Sequence, residues 1–302
     1  MPQDAPVRGI ALKLASTFSF ACMFALLRAV RELPAGELMF LRAAFSLGFL
    51  MLWTVRHGGL GQLRRVNRKW VLALASFVGA LSMLSNLIAL AHLPLVIFTT
   101  LTFLAPLFAV LIAGIALKER VGLHRLAGLA IGFTGSLVVV SHGAIGRIGD
   151  SLFSPGAGLA IVGAFLAGVI FVLLRRMAAS EDASTVSFYF VLASMVGGAL
   201  SLFVDFRMPS PVQWAAIAGA GFFGATSQLL MSLCYRYAEP SLLAPYEYAG
   251  IIWATLFGLI LFGEMPGMPA WVGISLVVAA GLIVVWGDVP KRRTTVAPEL
   301  TP

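Results

Sequence analysis

The stretch APLFAVLIAGIALKERVGLHRLAGLAIGFTGSLVVV, Ala105 to Val140, returns as GIIWATLFGLILFGEMPGMPAWVGISLVVAAGLIVV, Gly250 to Val285. At one constant offset Glu119 falls on Glu264, Gly128 on Gly273, Leu137 on Leu282 and Val140 on Val285. Upstream, Gly79 falls on Gly224 at the same offset, and Trp70 meets Trp214 one residue out of step. Apolar strings match one another easily; acids, glycines and tryptophans held at near-constant spacing mark a duplicated unit. Each copy is a pair of apolar runs too long for transmembrane strands and without period-2 alternation, which reads as membrane helix rather than barrel.

Working outward, apolar blocks fall near 9–30, 36–55, 70–91, 94–117, 122–141, 157–177, 184–204, 212–235, 240–262 and 267–287. A bilayer core takes about 20 apolar residues per helix, so ten such helices leave only short connections in 302 residues. Hydrophobic residues make up 60% of the chain and charged residues 11%, far below the roughly 25% charge of a soluble domain. The expected fold is an all-α polytopic membrane protein with ten transmembrane helices in two inverted five-helix repeats. Residues 1–150 form the first repeat, and residues 151–302 form the second with a short cytoplasmic tail. An odd number of helices per repeat turns the second copy upside down, which is a recurrent transporter architecture with its site between the repeats.

Orientation follows from Lys and Arg. With the N-terminus inside, one set of connections holds Arg8, Lys13, Arg56, Arg64, Arg65, Arg68, Lys69, Lys118, Arg120, Arg125, Arg175, Arg176, Arg236, Lys291, Arg292 and Arg293. The other holds Arg28, Arg31, Arg147 and Arg207. This bias places both termini in the cytoplasm, in a bacterial inner membrane. The net charge of +8 is thereby explained by topology, and no nucleic-acid face is expected, because no basic run interleaves with exposed aromatics. Arg8 and Lys13 before an apolar run resemble a signal-peptide start, but without a clear cleavage site the run reads as helix 1. Cys22 and Cys234 sit inside apolar blocks and read as inert thiols. The histidines His57, His92, His124 and His142 lie near span ends without metal spacing, so no metal or cofactor is expected.

The stretches LAPLFAVLIAGIALKER and LAPYEYAGIIWATLFGLILFGEM, each followed by a Gly-rich span, resemble the drug/metabolite transporter superfamily and its EamA-type ten-helix carriers. The resemblance covers nearly the whole chain. It implies a carrier of a small organic metabolite, with a cavity lined by both halves and alternating access, and it names no substrate. Proton coupling, exchange and facilitation stay open. One departure is that Pro106 in the first half has Ile251 as its counterpart, while the second half carries Pro245 earlier. Helices 4 and 9 are therefore not expected to bend alike.

The candidate substrate or coupling residues are Glu247, Tyr246, Tyr248, Asn86, Gln228, Thr99, Thr102, Phe103, Ser82, Trp253 and Arg42. Glu247, in PYEYAG, has the clearest intramembrane placement of any acid. A carboxylate there costs about 2.5–3.5 kcal/mol on insertion scales, so it must face a cavity or a partner. It is either a cation-substrate or proton-coupling group, or a structural acceptor for Tyr246 or Tyr248. Arg42 either meets a substrate carboxylate, pairs with Glu37 or snorkels outward. Thr99, Thr102, Phe103 and Pro106 share one face of an unbroken helix. Ser and Thr more often bond within the bundle, whereas Asn86 and Gln228 are costlier to bury. Trp253 is either an aromatic wall or packing. Glu119 and Glu264 fit loop anchoring. Gly128, Gly132 and Gly135, with Gly158, Gly163 and Gly168, fit close helix packing, and helices 5 and 10 fit packing or homodimer contacts.

Two other classes compete with a carrier. An intramembrane enzyme needs a compact polar constellation, and a scaffold moves no solute; the absence of a Walker motif argues against direct ATP drive. Glu247→Gln is expected to lower transport or flatten its pH dependence while leaving the protein folded. Normal transport by that variant across pH removes Glu247 from the site.

Overall fold

The computed structural model describes residues 5–57, 61, 63, 66–116, 127–128, 130–132, 134–135, 138, 154–177, 181, 183–202, 206–237, 246, 249–265 and 267–288. Among these every regular element is helical. The helices are α1 (Ala5–Ala29), α2 (Ala35–His57), α3 (Lys69–His92), α4 (Leu95–Thr102), α5 (Ala105–Ala116), α6 (Pro155–Met177), α7 (Ala183–Ser201), α8 (Pro211–Tyr237), α9 (Ala249–Phe262) and α10 (Met268–Asp288). Val7–Ala29, Ala35–Arg56, Lys69–His92 and Pro155–Leu174 are long and apolar enough to cross a membrane. Ser184–Leu200, Ala249–Phe262 and Trp271–Ile283 are shorter apolar stretches.

Local chemistry explains the boundaries. α6 and α8 both open on Ser-Pro, where proline at the first helical position sacrifices no bonded N–H. Ser154 Oγ accepts from Ala157 N at 3.2 Å. At α8, Gln213 Oε1 accepts from Ser210 N at 2.8 Å, while Ser210 Oγ accepts from Gln213 N at 3.3 Å. That reciprocal pair is a capping box. Leu93 leaves the helical region, φ −111° and ψ 147°, because the following Pro94 disfavours α geometry before it. α3 stops there and α4 starts anew.

The expected fourth span, 94–117, is broken. Phe103 and Leu104 form a turn between α4 and α5. Phe103 N bonds back to Thr99 O at 3.3 Å and Thr100 O at 3.2 Å, and Leu104 N to Leu101 O at 3.1 Å, a tightened last turn. Pro106 supplies the cause: it has no N–H for the Thr102 carbonyl, and its ring collides with that carbonyl in a continuous helix. The helical face proposed through Thr99, Thr102, Phe103 and Pro106 is therefore interrupted.

The helices pack chiefly across the halves. The most extensive contact is α1 on α8, followed by α3 on α6 and α2 on α7. α3 also packs on α7 and α2 on α8, while α9 lies against α1 and α4, and α6 against α5. Serines fasten three of these crossings: Ser16 Oγ donates to Ser227 O at 2.9 Å, Ser46 Oγ to Gly221 O at 2.8 Å, and Ser82 Oγ to Gly163 O at 3.0 Å. Where lipid replaces water, backbone approach and such bonds drive helix association. On α3, Trp70, Leu74, Phe77 and Leu81 form an exposed apolar stripe at helical spacing, a face that belongs against lipid.

Three carboxylates tie loops across the halves. Glu37 Oε2 accepts from Arg207 N at 3.0 Å. Glu181 Oε1 accepts from Asn67 N at 2.9 Å and Arg68 N at 2.7 Å. Glu264 Oε2 accepts from Leu95 N at 2.7 Å, capping α4, while Oε1 pairs with Arg28 Nη2 at 3.2 Å. Gly263, at φ +62°, ends α9 in the left-handed conformation that glycine adopts without Cβ strain. Gly263 N bonds to Leu259 O at 3.2 Å, the single bond of an αL cap, and Glu264 N returns to Gly258 O at 2.9 Å. This turn aims the carboxylate at the other half. The expected anchoring role of Glu264 is thus observed, whereas Glu119 lies outside the described residues.

Of the small residues assigned to packing, Gly132 meets Leu107 and Ala280, and Gly135 meets Gly273, Leu276 and Val277 of α10. Gly163 lies against Asn86, and Gly168 against Phe108 and Ala109. Gly158 departs from the expectation, since a methyl group there meets nothing within 4 Å. At Gly198 the same methyl group would fall 2.5 Å from Phe40 N and 2.8 Å from Gly36 O, both backbone atoms of α2.

Two stability predictions follow from these contacts. Gly198→Ala is expected to lose about 1–3 kcal/mol through overpacking, whereas Gly158→Ala gains up to about 1 kcal/mol of helix propensity; thermal unfolding in detergent separates them. Glu264→Ala, which strands Arg28 and uncaps α4, is expected to lose roughly 3–5 kcal/mol in the same assay. Glu264→Gln, which keeps an acceptor for Leu95 N, loses less.

Candidate functional site

The polar side chains buried in the bundle divide into those the fold satisfies and those it leaves open. Arg28 is satisfied. It is 7% exposed, and its Nη1 donates to Leu90 O at 2.7 Å and Ala91 O at 3.4 Å while Nη2 pairs with Glu264. Arg42, on α2, is 6% exposed and has no such partners among the described residues. Its Nη1 lies 3.8 Å from the Met23 thioether, and its Nε is buried without an acceptor. Neither the pairing with Glu37 nor the snorkelling considered for Arg42 occurs. Glu37 binds the Arg207 backbone instead, and the guanidinium turns inward.

Arg42 sits where α1, α2 and α8 meet. One turn further along α2, Ser46 bonds Gly221 O, which draws α2 tightly onto α8. Gly224 of α8 leaves the space the guanidinium fills: a methyl group there would be 3.1 Å from Arg42 Nη1 and 2.9 Å from Met23 Sδ. Arg42 lies seven residues into α2, about 10 Å along the helix, and Met23 lies six residues, about 9 Å, from the end of α1. Both are thus well inside the apolar layer, on the side of the Arg28–Glu264 pair.

The other predicted residues take varied places. Ser82 is spent on the α3–α6 crossing. Asn86, one turn on, packs against Gly163 with its Oδ1 buried and unpartnered. Trp253 of α9 stacks edge-on to Phe18 of α1, ring centroids 5.2 Å apart, and its Nε1 is buried without an acceptor. Thr102 Oγ1 is spent on Thr99 O at 2.7 Å, and Thr99 and Thr102 are half-buried at the end of α4. Phe103 is buried in the turn that follows, and a methyl group at Gly250 of α9 would touch its ring at 3.0 Å. The helix break therefore lies against the second half. Gln228 and Tyr246 are half-buried. Glu247 and Tyr248 lie outside the described residues.

Lys13 is the residue that sequence reasoning misplaced. Charge counting assigned it to a cytoplasmic end, yet it lies within α1, wholly buried, with Nζ donating to Met231 Sδ at 3.1 Å. The available signal was its setting in GIALKLASTF, where apolar residues flank it on both sides. Neither cysteine is in a disulfide; Cys234 is buried and Cys22 half-buried.

The comparisons with known proteins fit a polytopic carrier. The sequence profile of the EamA-like transporter family matches the chain twice, over residues 7–141 and 154–286. The pseudopaline exporter of Pseudomonas aeruginosa is 24% identical over 291 residues, covering 95% of this chain and 96% of that protein. The riboflavin transporter of Rhizobium johnstonii is 26% identical over 277 residues, 89% of each. The S-adenosylmethionine uptake transporter of Rickettsia bellii is 20% identical over 257 residues, 85% of this chain and 86% of that one. A solved crystal structure shares the fold with a TM-score of 0.64 at 20% identity, covering 94% of this chain and 97% of its own. The chain belongs to the EamA-like transporter family.

Proposed function

We propose that the protein is a secondary carrier that moves a small organic metabolite by alternating access between two opposed five-helix halves. The observation that carries this reading is the pattern of helix contacts. Exchanging the halves turns the α1–α8 pair into α6–α3, turns α3–α7 into α8–α2, and returns α2–α7 to itself. A pattern unchanged by that exchange is what a pseudo-twofold between repeats produces. The double match of one family profile supports the same division near residue 150. The break between α4 and α5 adds a discontinuous helix at the interface of the halves, the kind of element on which carriers build their sites.

In this reading the ten spans include 122–141, both termini are cytoplasmic, and the membrane is a bacterial inner membrane. The positive-inside bias supports that orientation. Arg42, Asn86, Trp253 and the α4–α5 turn contribute to the site, with Glu247 as a substrate or coupling group and Tyr246, Tyr248, Gln228, Thr99 and Thr102 around it. A homodimer is compatible with the exposed Trp271, Val272 and Trp286 of α10. The related carriers act on chemically unlike solutes, so no one of them specifies the substrate here.

Reconstituted into liposomes, the purified protein is expected to exchange at least one solute from a broad metabolite panel, measured as counterflow above protein-free vesicles. No counterflow with any member would favour the scaffold reading.

A further inference from the structure

We propose that Arg42 is the anion-binding group of the carrier, and that the substrate presents a carboxylate to it. The proposal rests on the transporter reading and specifies its substrate class.

The argument begins with a comparison inside the molecule. Gly79 of α3 and Gly224 of α8 are equivalent in the sequence repeat. A methyl group at Gly79 would meet the ring of Phe190 from α7, and one at Gly224 would meet the guanidinium of Arg42 from α2. The two crossings thus solve the same packing problem with different side chains. Phenylalanine fills the space in one half, so packing does not call for a positive charge in the other.

The charge is costly where it stands. A cation inside the bilayer is normally compensated by carbonyls or a carboxylate, as Arg28 is at the same end of the bundle. Arg42 reaches a thioether alone among the described residues, and its Nε lacks an acceptor. Among the described residues it has no carboxylate within ion-pair distance. A group kept under these conditions is explained by a partner that arrives during the working cycle. The planar guanidinium fork matches the two oxygens of a carboxylate. A single guanidinium without a carboxylate among the described residues balances one negative charge, whereas a phosphate dianion would leave a second charge uncompensated in the same apolar layer.

The experiment uses wild-type protein in liposomes and measures counterflow of size-matched probe sets: phenylalanine with phenylalaninamide, benzoate with benzamide and phenyl phosphate, nicotinate with nicotinamide. Acids are expected to be carried at least about tenfold better than their amides and better than phenyl phosphate, as loss of a charge-assisted bond implies. Arg42→Phe copies the solution used at Phe190 and is expected to fold, with its preference for acids lost. Arg42→Lys should keep part of that preference. If wild-type protein carries amides as readily as acids, or prefers phenyl phosphate, the proposal is overturned while the transporter reading stands. Unchanged acid preference in Arg42→Phe overturns it equally. Should the variants fail to fold, the wild-type acid-to-amide ratio alone decides. Absence of any counterflow by wild-type protein counts against the carrier itself and removes the basis for both.

Discussion

The carboxylate of Glu264 is the interaction on which the arrangement of the halves most depends. Polar backbone at a helix end cannot be left bare where lipid replaces water. α4 has to begin afresh after Pro94, and its first amide, Leu95 N, is capped from the far half of the chain. The same carboxylate pairs with Arg28, whose other nitrogen holds the last carbonyls of α3. One acidic side chain, delivered by a glycine turn, thereby links α1, α3, α4 and α9. Glu37 and Glu181 repeat the device, each accepting backbone N–H groups from the opposite half.

Between these loop ties, the crossings are set by small residues and serines. Glycines let backbones approach where a methyl group would meet main-chain atoms, as at Gly198 against α2. Serine hydroxyls then bond carbonyls across the contact. These features spend polar groups on structure. Buried atoms with an unfilled bond remain at Arg42 Nε, Asn86 Oδ1 and Trp253 Nε1, and also at Ser76, Thr226, Thr255 and one carboxylate oxygen each of Glu37 and Glu181; the first three are the ones assigned to the proposed site. Buried polar atoms are nearly always paired in folded proteins.

Much of the molecule was legible in the amino-acid order, because the relevant physics is local or statistical. A bilayer demands long apolar runs, which mark the spans, whereas the break before Pro106 and the Gly263 turn that ends α9 appeared only in the structure. Paired landmarks such as Gly79 with Gly224 exposed the duplication without any contact being known. The roles of the polar residues were less legible. Ser82 and Asn86 lie one turn apart on α3 and were both candidates, the carboxamide ahead of the hydroxyl, and only the packing shows that Ser82 is consumed by Gly163 O while Asn86 Oδ1 is not. Lys13 was assigned to a loop because charge counting presumes that lysine avoids the interior, and the wholly buried position within α1 shows that this presumption fails here.

The sequence by itself determined that this is a helical membrane protein with a repeated unit and a strongly one-sided distribution of positive charge. Those properties follow from composition and from spacing along the chain. Only the tertiary structure decided which charges are compensated. Arg28 and Arg42 are both arginines near the same end of adjacent apolar runs, one counted with a connection and the other a site candidate, and neither position told which charge is compensated. The difference lies in what comes to meet them from more than a hundred residues away: Glu264 for one, a bare Gly224 for the other. Electrostatic satisfaction is a property of three-dimensional neighbours, and so the place where a ligand is wanted becomes visible only once the helices have packed.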